Sequence, residues 1–325
     1  SICKFFVINR LGLLDRQGSA NLTAGERLLL PFERTIQQPV EVEGVGLHSG
    51  VPVRARILPA PAGSGIIFER VDLDGFTIPA QWKYVARVSY ATSLMREGVL
   101  LSTTEHLLSV LYTMGIDNAR IEIDNLEVPI LDGSGKPWVE LLEKAGIRNL
   151  RRRRRYLRIV RPLEVCEGAK RIAILPADSF RIRCDTHYDH PLVGSERIEL
   201  ELTPEHYASD IAPARTFGFE RDLNAMRDMG LIRGANLENA ICFTASGILN
   251  PGGLRFPDEC CRHKVLDLIG DLALLGRPLL GYVIAERAGH AMHAALVNRI
   301  MHDPGCYQLL SREELHSVQS NAVVA

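Results

Sequence analysis

The residues best suited to chemistry gather in RHKVLD, where His263 and Asp267 stand four positions apart. On a helix that spacing sends both side chains from one face, about one turn apart. Such a pair can grip a metal ion or share an ordinary hydrogen bond on a helix surface. Val265, Leu266, Leu268, Ile269 and Leu272 make the segment too apolar for a free surface. His106, in TEHLLSVLYTMG, offers a third ligand. Two imidazoles and a carboxylate, with one position left open, form an established set for catalytic zinc. Glu105, beside His106, is then placed as a proton acceptor; its other reading is an acid at a helix N-terminus, stabilised by the helix dipole. His290 follows the strand-like GYVIAE and a glycine, a position from which a side chain can enter a cleft. Its neighbour His293 could pair with it on a metal, but a site with three ligands has no need of either. His48 in GVGLHSG and His190 in YDHP read first as turn or pocket-lining residues. Cys260 and Cys261 do not suggest a thiolate cage, because neighbours on a helix point about 100° apart and no second pair completes it.

The elements that must hold these residues are legible in the patterning. Alternation in TIQQPVEVEGVGLHSG and VPVRARILPA predicts two strands joined by a glycine-rich turn, with further strand signal from 65 to 76. TEHLLSVLYTMG carries Leu107, Leu108, Val110 and Leu111 at helical spacing and stops at Gly115. NARIEIDNLEVPILDGSG returns to strand and turn, and PWVELLEKAGI predicts a helix with Pro137 near its start. The five consecutive arginines Arg151 to Arg155 mark a boundary and read as a solvated, self-extending linker in preference to an anion-binding patch. Strands at 171–175, 179–188 and 197–202 then precede the long helix CCRHKVLDLIGDLALLG. Each half sets a histidine at the start of an apolar helix ending in glycine, His106 before Gly115 and His263 before Gly276. That symmetry suggests a duplication whose two helices face each other. The expected units are an extension at 1–33, a first α+β unit at 34–150, a second at 151–310 and a tail at 311–325.

A chain of 325 residues exceeds the usual size of one core, which favours two domains of roughly 120 to 150 residues. With 46% hydrophobic and 24% charged residues it has the composition of a self-sufficient globular protein. A net charge of -1 argues against a nucleic-acid binder, which needs a broad positive field. Seven cysteines without framework spacing fit a reducing cytoplasm. The apolar runs are too short to span a bilayer, leaving at most transient contact with a membrane surface. SICKFFVINRLGLLDR has no clear cleavage site, so no signal peptide is expected.

Several stretches, in order, resemble one family, the UDP-3-O-acyl-N-acetylglucosamine deacetylases. They are GVGLHSG (44–50), TTEHLLSVLYTMGIDNARIEI (103–123), VPILDGSGKPWVELLEKAGI (128–147), ARTFGF (214–219), LRFPDECCRHKVLDLIGDLALLG (254–276) and GH at 289–290. Long motifs in register over about 34–310 are far more specific than one short pattern. The resemblance implies an α+β fold of two similar domains, each a β-sheet layered on helices, with the helices sandwiched between the sheets. It implies one Zn2+ per chain on His106, His263 and Asp267, Glu105 as general base and His290 as general acid. Asp271 matches a carboxylate that orients His290 and keeps it charged, and Thr216 a hydroxyl near the developing oxyanion. Lys264, Phe217 and Leu47 are implied substrate contacts. The segment after ARTFGF is an implied acyl channel lined by Leu223, Met226, Leu231 and Ile232, residues that in an amphipathic helix can equally be packing residues. Glu220 stands where some relatives are apolar, which bears on acyl length.

The implied reaction removes the N-acetyl group of UDP-3-O-acyl-N-acetylglucosamine as acetate, in lipid A biosynthesis, by a monomeric, cytoplasmic bacterial enzyme. Two rivals would use the same residues differently: a binding protein that applies Arg151 to Arg155 to RNA, and a zinc amidase for another acylated sugar.

Overall fold

Alternation builds the first sheet: in Pro52–Pro59, Val53, Ala55 and Ile57 are buried while Arg54 and Arg56 face outward. The computed structural model describes residues 29–323; the N-terminal segment considered for a signal peptide lies outside them. The first sheet has the order Val40–Val45, Pro52–Pro59, Ala119–Ile123, Ile66–Arg70, Phe76–Pro79. Its pairs are antiparallel except Ile66–Arg70, which runs parallel to Ala119–Ile123. A smaller sheet of Val85–Arg87, Ser93–Arg96 and Val99–Leu101 leads into the first histidine-bearing helix.

The second large sheet runs Leu163–Glu167, Lys170–Leu175, Leu279–Glu286, Tyr156–Ile159, Tyr307–Leu310. Phe180–Tyr188 lies parallel to Leu279–Glu286, and Gly194–Glu201 pairs outside it. A two-stranded parallel ribbon, Phe217–Phe219 with Ile241–Phe243, stands apart. The helices are α1 (Glu105–Thr113), α2 (Lys136–Ala145), α3 (Pro204–His206), α4 (Leu223–Asp228), α5 (Glu259–Leu272), α6 (His290–His302) and α7 (Arg312–Val323).

This is a two-domain α+β fold, and the two halves share one continuous core. Eight of the nine residues of α1 and twelve of the fourteen of α5 are buried. A helix covered on every side belongs in the middle of a protein. The two helices pack against each other, as the sequence symmetry suggested, and α5 also rests on Phe180–Tyr188. They meet tightly at Gly270, where a Cβ would fall 2.0 Å from the carbonyl oxygen of Glu105. Only glycine permits that contact, and it sets the first residue of α1 directly over the last turn of α5.

The arginine run is not a linker. Ile147–Arg153 is a strand, paired antiparallel with Phe32–Ile36. Arg152 meets Glu33 at 3.2 Å, Arg153 pairs with Glu313, and Arg155 meets Glu314 at 3.3 Å. Arg154 is buried and donates to Asp117 at 2.8 Å. Separate acidic partners neutralise these arginines, so mutual repulsion never extends the segment. The segments expected as extension and tail also take part in the fold: Leu29 and Leu315 are buried together with Tyr156 and Leu280.

Candidate metal centre and active site

The site lies where α1 meets α5 and the start of α6. Gly115, with φ +69°, follows α1, and a 3-10 turn at Ala273–Leu275 closes α5 at Gly276; both stops fall where the sequence predicted them. His106 and His263 bring their rings to 4.9 Å between centroids, at an angle of 81°. Asp267 Oδ1 lies 3.7 Å from His106 Nε2 and 3.4 Å from His263 Nε2. Atoms about 2.1 Å from a shared tetrahedral ion stand about 3.4 Å apart, so these separations suit one small divalent cation.

Hydrogen bonding marks two of these three atoms. Asp267 Oδ1 is buried with no hydrogen-bond partner among the described residues, while its Oδ2 accepts from Lys264 Nζ at 2.7 Å. An unpaired carboxylate oxygen in a buried site is costly unless something positive meets it. His263 Nδ1 lies 3.1 Å from the carbonyl oxygen of Ala214. With Nδ1–H donating there, Nε2 keeps its lone pair for a ligand. Burial first, then His263, pushes His106 down to about 3, and burial lowers His263 as well. Both imidazoles are therefore neutral, as metal ligands must be. Burial alone would raise Asp267, but Lys264 foremost and then the neighbouring imidazoles hold it well below the usual carboxylate range.

Two further groups of possible ligands overlap this one or are otherwise engaged. Glu105, Asp267 and His290 form one, and Asp271, His290 and His293 the other. In the second, Asp271 Oδ2 accepts from His290 Nδ1 at 2.7 Å and from His293 Nδ1 at 2.8 Å. That is a hydrogen-bonded cluster.

The proton-transfer candidates stand beside the three ligands. Glu105 is buried, with Oε2 accepting from the Thr92 N–H at 3.1 Å and Oε1 lying 3.9 Å from His290 Nε2. Burial raises its carboxyl to about 8, with Asp267 and Asp271 adding to the rise and His290 opposing it. His290 is the first residue of α6. Burial alone would lower it, but the adjacent Asp271 carboxylate raises it to about 9. Burial would likewise raise Asp271, yet His290 and His293 bring it down to about 2.

Of the other expected residues, Lys264 is half-buried against Asp267 and sits 5.6 Å from the Phe217 ring centroid. Phe217 also packs edge-on to His263 at 6.2 Å. Thr216 is half-buried, its N–H donating to the Gly133 carbonyl at 2.8 Å. Leu223, Met226, Leu231 and Ile232 are all half-buried, on α4 and the loop after it. Leu47 lies in GVGLHSG, and its carbonyl accepts from the Gly234 N–H at 3.1 Å. Gly234 is obligatory there, since a Cβ would come within 2.2 Å of the Gly46 carbonyl. His190, read first as a turn or pocket-lining residue, is buried among Phe219 and Phe243, with Nε2 on the Thr244 carbonyl.

Two residues that sequence reasoning passed over, and one that it set aside, matter here. Glu127 accepts from the backbone N–H groups of His48 and Ser49 and from the Thr103 hydroxyl, fixing the GVGLHSG loop. Thr92 donates its hydroxyl to Asp271 Oδ1. His293, set aside as surplus, shares the Asp271 carboxylate. None carries a local pattern; only the second histidine of GHAMH offered a signal.

Comparison with known proteins follows the same line. Residues 33–302 match the family model LpxC, described as UDP-3-O-acyl N-acetylglycosamine deacetylase. The chain is 68% identical over 294 residues to the UDP-3-O-acyl-N-acetylglucosamine deacetylase of Solibacter usitatus (strain Ellin6076), covering 90% of this chain and 99% of that protein. It is 45% identical over 289 residues to the protein of the same name from Myxococcus xanthus (strain DK1622), covering 88% and 92%. To that of Aliarcobacter butzleri (strain RM4018) it is 40% identical over 289 residues, covering 89% and 96%. With the family model spanning most of its length, and relatives matched nearly end to end, this chain belongs to the UDP-3-O-acyl N-acetylglycosamine deacetylase family.

Proposed function

We propose that this protein is a hydrolase that removes the N-acetyl group of UDP-3-O-acyl-N-acetylglucosamine, releasing acetate in lipid A synthesis. The observation that carries the reading is the convergence of His106 Nε2, His263 Nε2 and an unpartnered Asp267 Oδ1 beside Glu105 and His290. One Zn2+ suits this donor set, and when bound it supplies positive charge that polarises an amide carbonyl and acidifies a nearby water. Glu105 takes the proton of the attacking water. His290 gives a proton to the departing sugar nitrogen, with Asp271 holding its ring and its charge. Thr216 offers a hydroxyl to the oxygen on which charge develops. Lys264 spends one N–H on Asp267 and has two more for substrate. Phe217, Leu47, Leu223 and Ile232 contribute apolar surface for the sugar and the acyl chain.

The reading extends to a monomeric, cytoplasmic bacterial enzyme in two units, 34–150 and 151–310. In support, one chain supplies every group named, the described cysteines are free, and no helix of the described residues is long and apolar enough to cross a membrane. The test is direct: incubate the Zn2+-loaded protein with UDP-linked acylated N-acetylglucosamine and measure acetate. Turnover of acylated N-acetylglucosamine lacking UDP at the same rate, or no acetate from either, would refute the assigned substrate.

A further inference from the structure

Thr92, which belongs to no motif, bonds both halves of the proton-transfer apparatus. Its backbone N–H donates to Glu105 Oε2 at 3.1 Å, and its hydroxyl donates to Asp271 Oδ1 at 2.5 Å. The same hydroxyl lies 3.2 Å from His290 Nδ1. Its carbonyl accepts from the Thr104 N–H at 3.2 Å and the Thr104 hydroxyl at 3.1 Å, at the turn that starts α1. Thr92 is only 1% exposed, so water does not compete for these bonds.

The consequence is geometric. Asp271 is gripped at both oxygens, Oδ1 by Thr92 and Oδ2 by the two imidazoles, so its carboxylate cannot turn and His290 cannot follow it. Glu105 comes from α1 and the Asp271–His290 pair from α5 and α6, elements distant in sequence. We propose that Thr92 is a positioning residue that registers Glu105 against the Asp271–His290 pair across the two halves of the protein. The inference rests on the deacetylase reading above, in which a proton enters at Glu105 and leaves from His290, two groups only 3.9 Å apart. Thr92 and Asp271 also wall a cavity of about 180 Å3 together with Trp82, Val85, Leu274 and Asn298. Once the hydroxyl is gone, the Asp271 carboxylate has open space to turn into.

The experiment uses the full chain loaded with Zn2+, as wild type, Thr92→Val and Thr92→Ser. Valine preserves the shape and the backbone N–H but deletes the hydroxyl; serine restores it. Thr92→Val is expected to lower kcat by about 10- to 100-fold, the loss that follows from displacing a reacting group by about 1 Å. KM should stay within about twofold and zinc content should not change, since ground-state binding is untouched. Thr92→Ser should recover most of the lost kcat. Wild-type kcat in Thr92→Val, or a serine variant as poor as valine, would overturn the proposal. So would loss of zinc or of folded protein in Thr92→Val and again in Thr92→Ala, which would make the residue merely structural. Absence of acetate release by the wild type would instead sink the deacetylase reading itself.

Discussion

Replacing Gly270 with alanine sets two effects of opposite sign against each other. Helix propensity favours alanine in the last turn of α5, which runs on as a 3-10 turn, by about 1 kcal/mol. Packing opposes it: the new Cβ would lie 2.0 Å from the Glu105 carbonyl oxygen, 2.7 Å from its carbonyl carbon and 2.8 Å from its Cα. All three are backbone atoms, so no flexible side chain can swing aside, and α1 and α5 must part by about 1 Å there, in the overpacking regime that costs about 1–3 kcal/mol. The upper end of that range applies, leaving a net loss of roughly 1–2 kcal/mol after the propensity gain. Activity should suffer more than stability. The displaced residue is Glu105, whose neighbour His106 must meet His263 and Asp267, and a shift of about 1 Å at a reacting group costs about 100-fold in rate. Thermal unfolding and acetate release on the same preparation read both quantities. A Gly270→Ala protein that melts higher than wild type and turns over at the wild-type rate would refute the reasoning, because propensity would then have won at a contact held to be impassable.

Asp267→Ala should empty the metal site, whereas Glu105→Gln should retain zinc while losing about two to four orders of magnitude in kcat; metal analysis beside kinetics checks this, and equal metal loss in both contradicts the roles. His290 acts only while protonated, so the rate should fall as pH rises through its pKa, which the Asp271 carboxylate raises to about 9. Asp271→Asn removes that charge, lowers the pKa and should move the descending limb of kcat/KM to lower pH; an unmoved limb counts against the pairing. Arg154→Ala leaves the half-buried Asp117 without its closest cation and should destabilise by about 2 kcal/mol in denaturant unfolding, while Arg151→Ala, on an exposed position of the same run, should stay within about 0.5 kcal/mol.

The helices and the His263–Asp267 pair were legible in sequence because each rests on short-range periodicity, whereas His106 joins that pair from a distant stretch of chain. His263 and Asp267 share a face by spacing alone, and the glycines after α1 and α5 end them where expected. The encounter of α1 with α5 was only hinted at by symmetry, since nothing local says that Gly270 will meet Glu105. Charge runs mislead for a related reason. Arg151 to Arg155 look like a self-repelling linker until Glu33, Asp117, Glu313 and Glu314 arrive from distant parts of the chain. Thr92 and Glu127 were illegible because a single polar residue acquires a role only from what folding sets beside it.

The ordering of two proton affinities ties these pieces into one device. A base must be charged and an acid protonated at the same pH, which requires the acid to hold its proton more tightly than the base. Burial drives Glu105 up to about 8 and the Asp271 carboxylate lifts His290 to about 9, so without a cation the base would be largely protonated at neutral pH. A cation in the His106–His263–Asp267 set acts on both groups in the same direction, favouring carboxylate over carboxylic acid and neutral imidazole over imidazolium. What it cannot remove is the hydrogen bond of 2.7 Å from His290 Nδ1 to Asp271, a bond that favours the protonated ring and that Glu105 does not share. A gap between acid and base therefore depends on that hydrogen bond once a cation lowers the proton affinity of Glu105. Fixing Asp271 against rotation maintains that gap, which gives the hydrogen bond from Thr92 its mechanistic weight.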